Sequence, residues 1–376
     1  MTDLLPVAFS IAALAIAAGV FAVSRHVKQI RQHSAAFGQL AAASAWQTVF
    51  EKILQAAAAL IVAGVFFYWY RSNRMARDEY ERLEEKAVAS YNNQTDWEKP
   101  DPETLERDPK RDLIVYGRDL VAHTTDYYGP FGLVRPNSIN ALNCQNCHLD
   151  TGSKPFGNNF SAVAATYPKI RPRSGQSEDI PFRVNDCFLR SLNGKAIDTS
   201  SREMRAFVAY IRWLGSNVPK NETPKGSGIW KLPFLDRAAD PDKGKTVFET
   251  KCASCHGLDG QGLPMPEGAR SYPPLWGPQS YNEAAGLFRL SRLAGYVKAN
   301  MPFGASYRNP QMTDEEAWDV AAYINSQPRP KHRFLGKDWP DISKKPFDHP
   351  FGPYKDTFPE SQHKYGPFQP IVAFYR

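Results

Sequence analysis

The chain has 376 residues, 42% hydrophobic and 23% charged, an ordinary globular mix, and is long enough for two or three domains with cores of their own. Its formal net charge of +7 would suit a nucleic-acid partner, but no nucleic-acid motif accompanies it, so that class is set aside and the basic excess is read as local. Thirty prolines and twenty-five glycines predict much irregular backbone.

Residues 4–23 form an almost unbroken apolar run of membrane-spanning length. A cleaved signal peptide is the alternative, but no Lys or Arg precedes the run and Asp3 does. A second run, 53–70, ends in Phe66-Phe67-Tyr68-Trp69-Tyr70, a cluster suited to a membrane–water interface. Together the runs predict a transmembrane helical hairpin over residues 1–75. Arg25, Lys28, Arg31 and Lys52 lie between them, and Arg71, Arg74 and Arg77 follow the second, so charge alone orients the hairpin weakly. Both runs are rich in Ala, with Gly19 and Gly64; small residues permit close helix packing without requiring it. Residues 76–114 read as a charged stalk, helical over 78–86, and a linker bearing Pro and Asp.

Two motifs then carry the chemistry. Cys144-Gln145-Asn146-Cys147-His148 is matched later by Cys252-Ala253-Ser254-Cys255-His256. C-x-x-C-H is the attachment pattern of c-type haem. Two thiols at that spacing can form thioethers with the two vinyl groups of one porphyrin, and the adjacent His becomes the proximal iron ligand. Zinc knuckles are the alternative, but paired C-x-x-C units for zinc lie about 15–20 residues apart, whereas these are separated by more than a hundred positions. The chain is therefore expected to hold two covalently bound haem c groups. Their propionates would offset much of the positive charge. Maturation of such haems implies the outer face of a bacterial inner membrane, with both termini and both haem domains on the periplasmic side and the basic loop in the cytoplasm.

An internal repeat surrounds the motifs. Gly117-Arg118-Asp119-Leu120-Val121 precedes the first and Gly244-Lys245-Thr246-Val247-Phe248 the second. Each is followed much later by a predicted helix, over 201–214 and 313–325. A first helix, a haem motif, a distal loop and a last helix packing on the first make up the class I cytochrome c plan. The fold class is thus mainly α: two tandem class I cytochrome c domains, 115–225 and 226–332, behind the hairpin. The linker 221–241 joins them, and 333–376 reads as an extended wrapping tail whose aromatic density favours docking over disorder.

For the second haem, Met301 lies in Ala299-Asn300-Met301-Pro302, where a cytochrome c loop supplies its distal ligand. Met265 and Met312 compete, and both are read as packing residues. For the first haem no Met-Pro loop exists. Met204 is read as core and His123 as a surface or structural residue. The remaining candidate is Cys187, the one cysteine of five outside the haem motifs. It lies in the stretch from Arg183 to Lys195, Arg-Val-Asn-Asp-Cys-Phe-Leu-Arg-Ser-Leu-Asn-Gly-Lys. An inert buried thiol is the bland alternative.

That Cys-centred stretch resembles the thiosulfate dehydrogenase family of dihaem cytochromes c. The similarity extends to Asn143–Asp150, Lys154-Pro155-Phe156-Gly157, Tyr167–Gly175, Ile211-Arg212-Trp213-Leu214-Gly215 and much of the tail, covering roughly residues 115–376. It departs from typical soluble members in the membrane hairpin. The resemblance implies Cys187 as distal ligand of the active-site haem, and Arg173, Arg183 and Ser191 as substrate contacts. It implies a membrane-anchored enzyme that couples two thiosulfates to tetrathionate and passes electrons from the first haem to the second and on to a downstream cytochrome or other acceptor. The same parts run backward as a tetrathionate reductase. Arg171, Arg190 and Lys195 add to the positive cluster, which would gather oxyanions. The competing class is a non-catalytic dihaem electron-transfer subunit of a respiratory or photosynthetic membrane complex, favoured by the two-span anchor.

Overall fold

A computed structural model of the chain describes residues 39–92, 96–263, 272–333 and 335–375, with Val23, Arg25, Lys28 and Gln29. It divides into two compact units, Met1–Asn93 and Gln94–Arg376.

The first unit contains helix α1, Gln39–Asn92. Its stretch Val49–Glu79 is long enough to cross a membrane and contains an 18-residue window with a mean hydropathy of 1.8. Phe50, Ile61 and Val62 on it are largely exposed. The apolar run 53–70 is therefore helical. The stalk over 78–86 is not a separate helix but a continuation of the same one, because no Gly or Pro stands between Tyr70 and Asp78 to end it. The other apolar run, 4–23, lies outside the described residues except for Val23. Among the described residues one helix is long and apolar enough to cross a membrane, and a two-span hairpin is not shown.

The second unit is mainly helical. After a short helical turn at Pro102–Glu106, helix α2 (Arg111–Ala122) is its first long helix, starting inside the 76–114 segment expected to be stalk and linker. A short hairpin, β1 (Lys169–Arg171) and β2 (Gln176–Glu178), pairs antiparallel with Ile170 opposite Ser177. Helix α3 (Ile180–Arg190) follows, with Asp179 accepting from the Phe182 amide at 2.8 Å and proline in its first turn. Helix α4 (Arg202–Leu214) is capped by Ser201, whose Oγ accepts from the Met204 amide at 3.1 Å. Helices α5 (Pro241–Lys251), α6 (Leu290–Asn300) and α7 (Asp314–Ser326) complete the frame. A capping box opens α7: Thr313 Oγ1 accepts from the Glu316 amide, and Glu316 accepts from the Thr313 amide.

The repeat seen in the sequence is a repeated helix crossing. Helix α2 packs on α4, and α5 on α7. A Cβ at Gly117 would lie 2.0 Å from the Ala206 carbonyl oxygen, and one at Gly244 would lie 1.9 Å from that of Asp319. Each crossing is thus close enough that only glycine fits, and each holds one C-x-x-C-H segment against its apolar side. Trp318, Phe248, Phe188, Phe207 and Tyr210 are nearly inaccessible in the resulting core.

Polar contacts join the two cytochrome folds. The Tyr296 hydroxyl donates to the Asn146 carbonyl at 2.7 Å, Asn300 Nδ2 donates to that of Phe156 at 3.1 Å, and Asn282 Nδ2 to that of Leu189 at 2.9 Å. The tail touches both folds. Asp338 takes a two-point ion pair from Arg190, and Asp348 pairs with Arg289.

Candidate active site

Cys144, Cys147 and His148 line a cavity of about 400 Å³ in the first fold. Cys252, Cys255 and His256 line one of about 550 Å³ in the second. Both volumes fall in the usual range for cofactor sites, about 300–1,000 Å³. His148 Nδ1 lies 2.5 Å from the Asn158 carbonyl oxygen. A carbonyl only accepts, so Nδ1 carries the proton and Nε2 is left free to bind a metal. Burial pushes the His148 pKa down to about 4 against the pull of that carbonyl, which keeps the ring neutral. Burial also lowers the pKa of His256, with the Pro273 backbone opposing. None of the five cysteines is paired in a disulfide. Paired thiols and a neutral, oriented imidazole on each cavity wall fit a covalent haem, and the chain carries two haem c groups.

The two cavities are close. Leu142 and Cys147 line both, so a single layer of side chains separates them.

Cys187, on α3, lines the first cavity with His148, and Arg183, one turn earlier, lines it too. Ser191, which caps the end of α3, is also in the wall. The i, i+4 spacing of 183, 187 and 191 on one helix puts these residues on one face. Arg183 is about a third exposed and forms an ion pair with Asp186 at 2.5 Å. Its pKa is raised, first by the adjacent Cys187 and then by Asp186, against burial.

Arg173 is placed differently from the expectation. It sits in the β1–β2 turn but does not line the cavity. Its Nη1 reaches Asp186 Oδ2 at 3.4 Å, and its guanidinium lies 5.8 Å from the centre of the Trp339 ring. Burial pulls its pKa down to about 10, with Asp186 opposing. Arg190 also bonds Asp186 through Nε. Three guanidiniums therefore share one carboxylate. Burial would raise the pKa of Asp186, but Arg183, Arg190 and Arg173 together hold it below the usual carboxylate range. Lys195 lies away from the cavity, in a separate groove with Lys331 and Arg333.

What the sequence reading missed is the full sign of the wall. Lys169, Arg171, Arg183, Lys231 and Arg292 line the first cavity, and among the described residues no Asp or Glu does. Lys169, Lys231 and Arg292 had no local signal, because nothing near them in sequence carries chemistry. Asp186 did have one, as a lone carboxylate beside the unpaired cysteine.

In the second fold Met301 and Met312 both line the cavity. Met301 ends α6 and is half-buried, whereas Met312 is almost fully buried. Met265 lies outside the described residues. Met204 is buried in the first core as expected, and His123 ends α2 without lining either cavity.

Comparison with known proteins agrees with this geometry. Residues 135–219 match the SoxA/TsdA cytochrome c domain, and residues 241–328 match cytochrome c. Thiosulfate dehydrogenase from Psychrobacter arcticus is 36% identical over 245 residues, covering 64% of this chain and 71% of that one. The enzyme of that name from Allochromatium vinosum is 37% identical over 225 residues, covering 58% and 78%. The solved thiosulfate dehydrogenase (TsdBA) from Marichromatium purpuratum superposes with a TM-score of 0.58 at 31% identity, over 64% of this chain. The match spans 50% of that longer chain. With two haem-binding folds and matches of this extent, the chain belongs to the thiosulfate dehydrogenase family of dihaem c-type cytochromes.

Proposed function

We propose that the chain oxidises thiosulfate, joining two molecules into tetrathionate at the cavity lined by Cys187. The observation that carries this reading is the composition of that wall: a thiol and five cations, with no carboxylate among the described residues. Two thiosulfate dianions about 4 Å apart repel by roughly 4 kcal/mol even in water, since each unit pair contributes about 1 kcal/mol, and by more in a drier site. Clustered cations offset that repulsion. Arg183 takes sulfonate oxygens through its planar fork, and Ser191 donates a hydrogen bond near the reacting sulfur.

Cys187 is the reacting sulfur of the protein and the resting ligand of the first haem, and Met301 is the ligand of the second. Bond formation between the Cys187 thiolate and the terminal sulfur of one thiosulfate releases two electrons. The terminal sulfur of a second thiosulfate then attacks that sulfur, forming the S–S bond of tetrathionate and restoring the thiolate. The haems supply one-electron acceptors for the two electrons. The shared wall at Leu142 and Cys147 supports relay from the first site to the second. The acceptor beyond is a downstream cytochrome or similar carrier. Arg173 acts through Asp186 rather than at the cavity wall. Residues 115–225 form the reacting domain and 226–332 the relay domain, with 333–376 as a wrapping tail.

Residues 1–75 are proposed to anchor the chain in a bacterial inner membrane as a hairpin, with the haem domains outside. The apolar stretch Val49–Glu79 supports an anchor. A second span would favour the second reading, an electron-transfer subunit of a membrane complex. Steady-state assay of the purified full chain with thiosulfate and a one-electron acceptor separates the two. One tetrathionate per two electrons, with the activity in carbonate-washed membranes, is expected. No tetrathionate would hand the case to the electron-transfer subunit, and activity released by the wash would refute the anchor.

A further inference from the structure

Helix α6 belongs to the second cytochrome fold, yet its Arg292 lines the first cavity, with Arg183, Cys187 and Ser191. A close approach puts it there. A Cβ at Gly295 would lie 1.8 Å from the Trp230 carbonyl oxygen, so α6 runs directly against residues 229–230, and Ile229 lines the same cavity. The Arg292 guanidinium makes no hydrogen bond or ion pair among the described residues.

The neighbouring carboxylate is already committed. Asp348 accepts from Arg289 Nε at 2.7 Å, and from the Ser291 amide and hydroxyl at 3.1 and 2.5 Å. Arg289 Nη2 also lies 2.5 Å from it. Burial lowers the Arg292 pKa; Arg289, Arg171 and Arg183 push the same way, and Asp348 opposes. The buried or half-buried arginines that serve as struts here (Arg173, Arg190, Arg237, Arg289) each hold a carboxylate. Arg292 does not. Holding a desolvated charge without a counter-ion is costly, and its counter-ion can come from the cavity.

We propose that Arg292 is a substrate-binding residue supplied by the second domain: its guanidinium takes the sulfonate oxygens of one thiosulfate while Arg183 takes those of the other. The two dianions then meet between cations from both domains, and the site is incomplete in the first domain alone. This rests on the thiosulfate reading above. It also gives the tandem arrangement a binding role in addition to electron relay.

The test uses the full haem-loaded chain as wild type, Arg292→Gln and Arg292→Lys. Tetrathionate binding to the oxidised protein is measured by calorimetry, where no electron donor is present and no turnover occurs. Thiosulfate kinetics are measured alongside. Haem content and resting spectra should match wild type in both variants, because Arg292 is not proposed to touch iron. Arg292→Gln should weaken tetrathionate binding on the order of 10- to 150-fold, the loss expected from a charge-assisted hydrogen bond. KM for thiosulfate should rise more than kcat falls. Arg292→Lys should lose less, as a point charge keeps attraction but not the fork. It also carries the test if the Gln variant fails to load haem. Wild-type tetrathionate affinity in either variant would overturn the inference while leaving the thiosulfate reading intact. A wild-type chain that neither binds tetrathionate nor turns over thiosulfate would overturn both.

Discussion

Asp186 stands one position before Cys187, and three guanidiniums reach it. At this scale the sequence was legible in kind but not in pairing. An unpaired cysteine among arginines marked the site. Which arginine faces the cavity and which braces the helix depends on how the β1–β2 turn folds back onto α3, and no local pattern states that. Arg183 is the one that both lines the cavity and adjoins Cys187. Arg183→Ala should lower kcat/KM for thiosulfate about 10- to 150-fold, corresponding to roughly 1.5–3 kcal/mol for a charge-assisted hydrogen bond. Arg183→Lys should recover part of this. Haem content should hold in both. Wild-type turnover by Arg183→Ala would move the substrate site elsewhere. Loss of the Cys187 ligand in the same variant would make Arg183 a strut.

Among the elements, the two helix crossings were the most readable feature, because each needs a glycine at the point of closest approach and the chain repeats that glycine at 117 and 244. Adding a methyl group at Gly244 sets two effects against each other. Helix propensity gains about 1 kcal/mol on replacing Gly with Ala. Overpacking costs roughly 1–3 kcal/mol or more, and here the clashing atom is a backbone oxygen 1.9 Å away that cannot rotate aside. Overpacking wins. Gly244→Ala should therefore lower the Tm, by roughly 2–4 °C for each net kcal/mol lost in a domain of this size. An unchanged or raised Tm in differential scanning calorimetry would show the α5–α7 crossing to be looser than described. Helix α1 was read less well. Its apolar run was evident from composition, but its merger with the charged stalk was not, since amphipathic and apolar stretches join without a break wherever no Gly or Pro intervenes.

For the whole molecule, the sequence announced two haem folds but not how closely they share walls. The contacts that join them are amide and hydroxyl groups on backbone carbonyls, such as Tyr296 on Asn146 and Asn282 on Leu189. Such contacts leave no periodicity to detect. From them follow the common wall at Leu142 and Cys147 and the reach of Arg292 across the interface. Cationic side chains from both domains then line the cavity of a thiol proposed to bind the first iron. The measurement that bears most directly on this account is electron paramagnetic resonance of the oxidised full chain. One low-spin thiolate-ligated haem should be present in the wild type, lost in Cys187→Ala and retained in Met301→Ala. A wild-type spectrum with only His/Met and His/His species would contradict it.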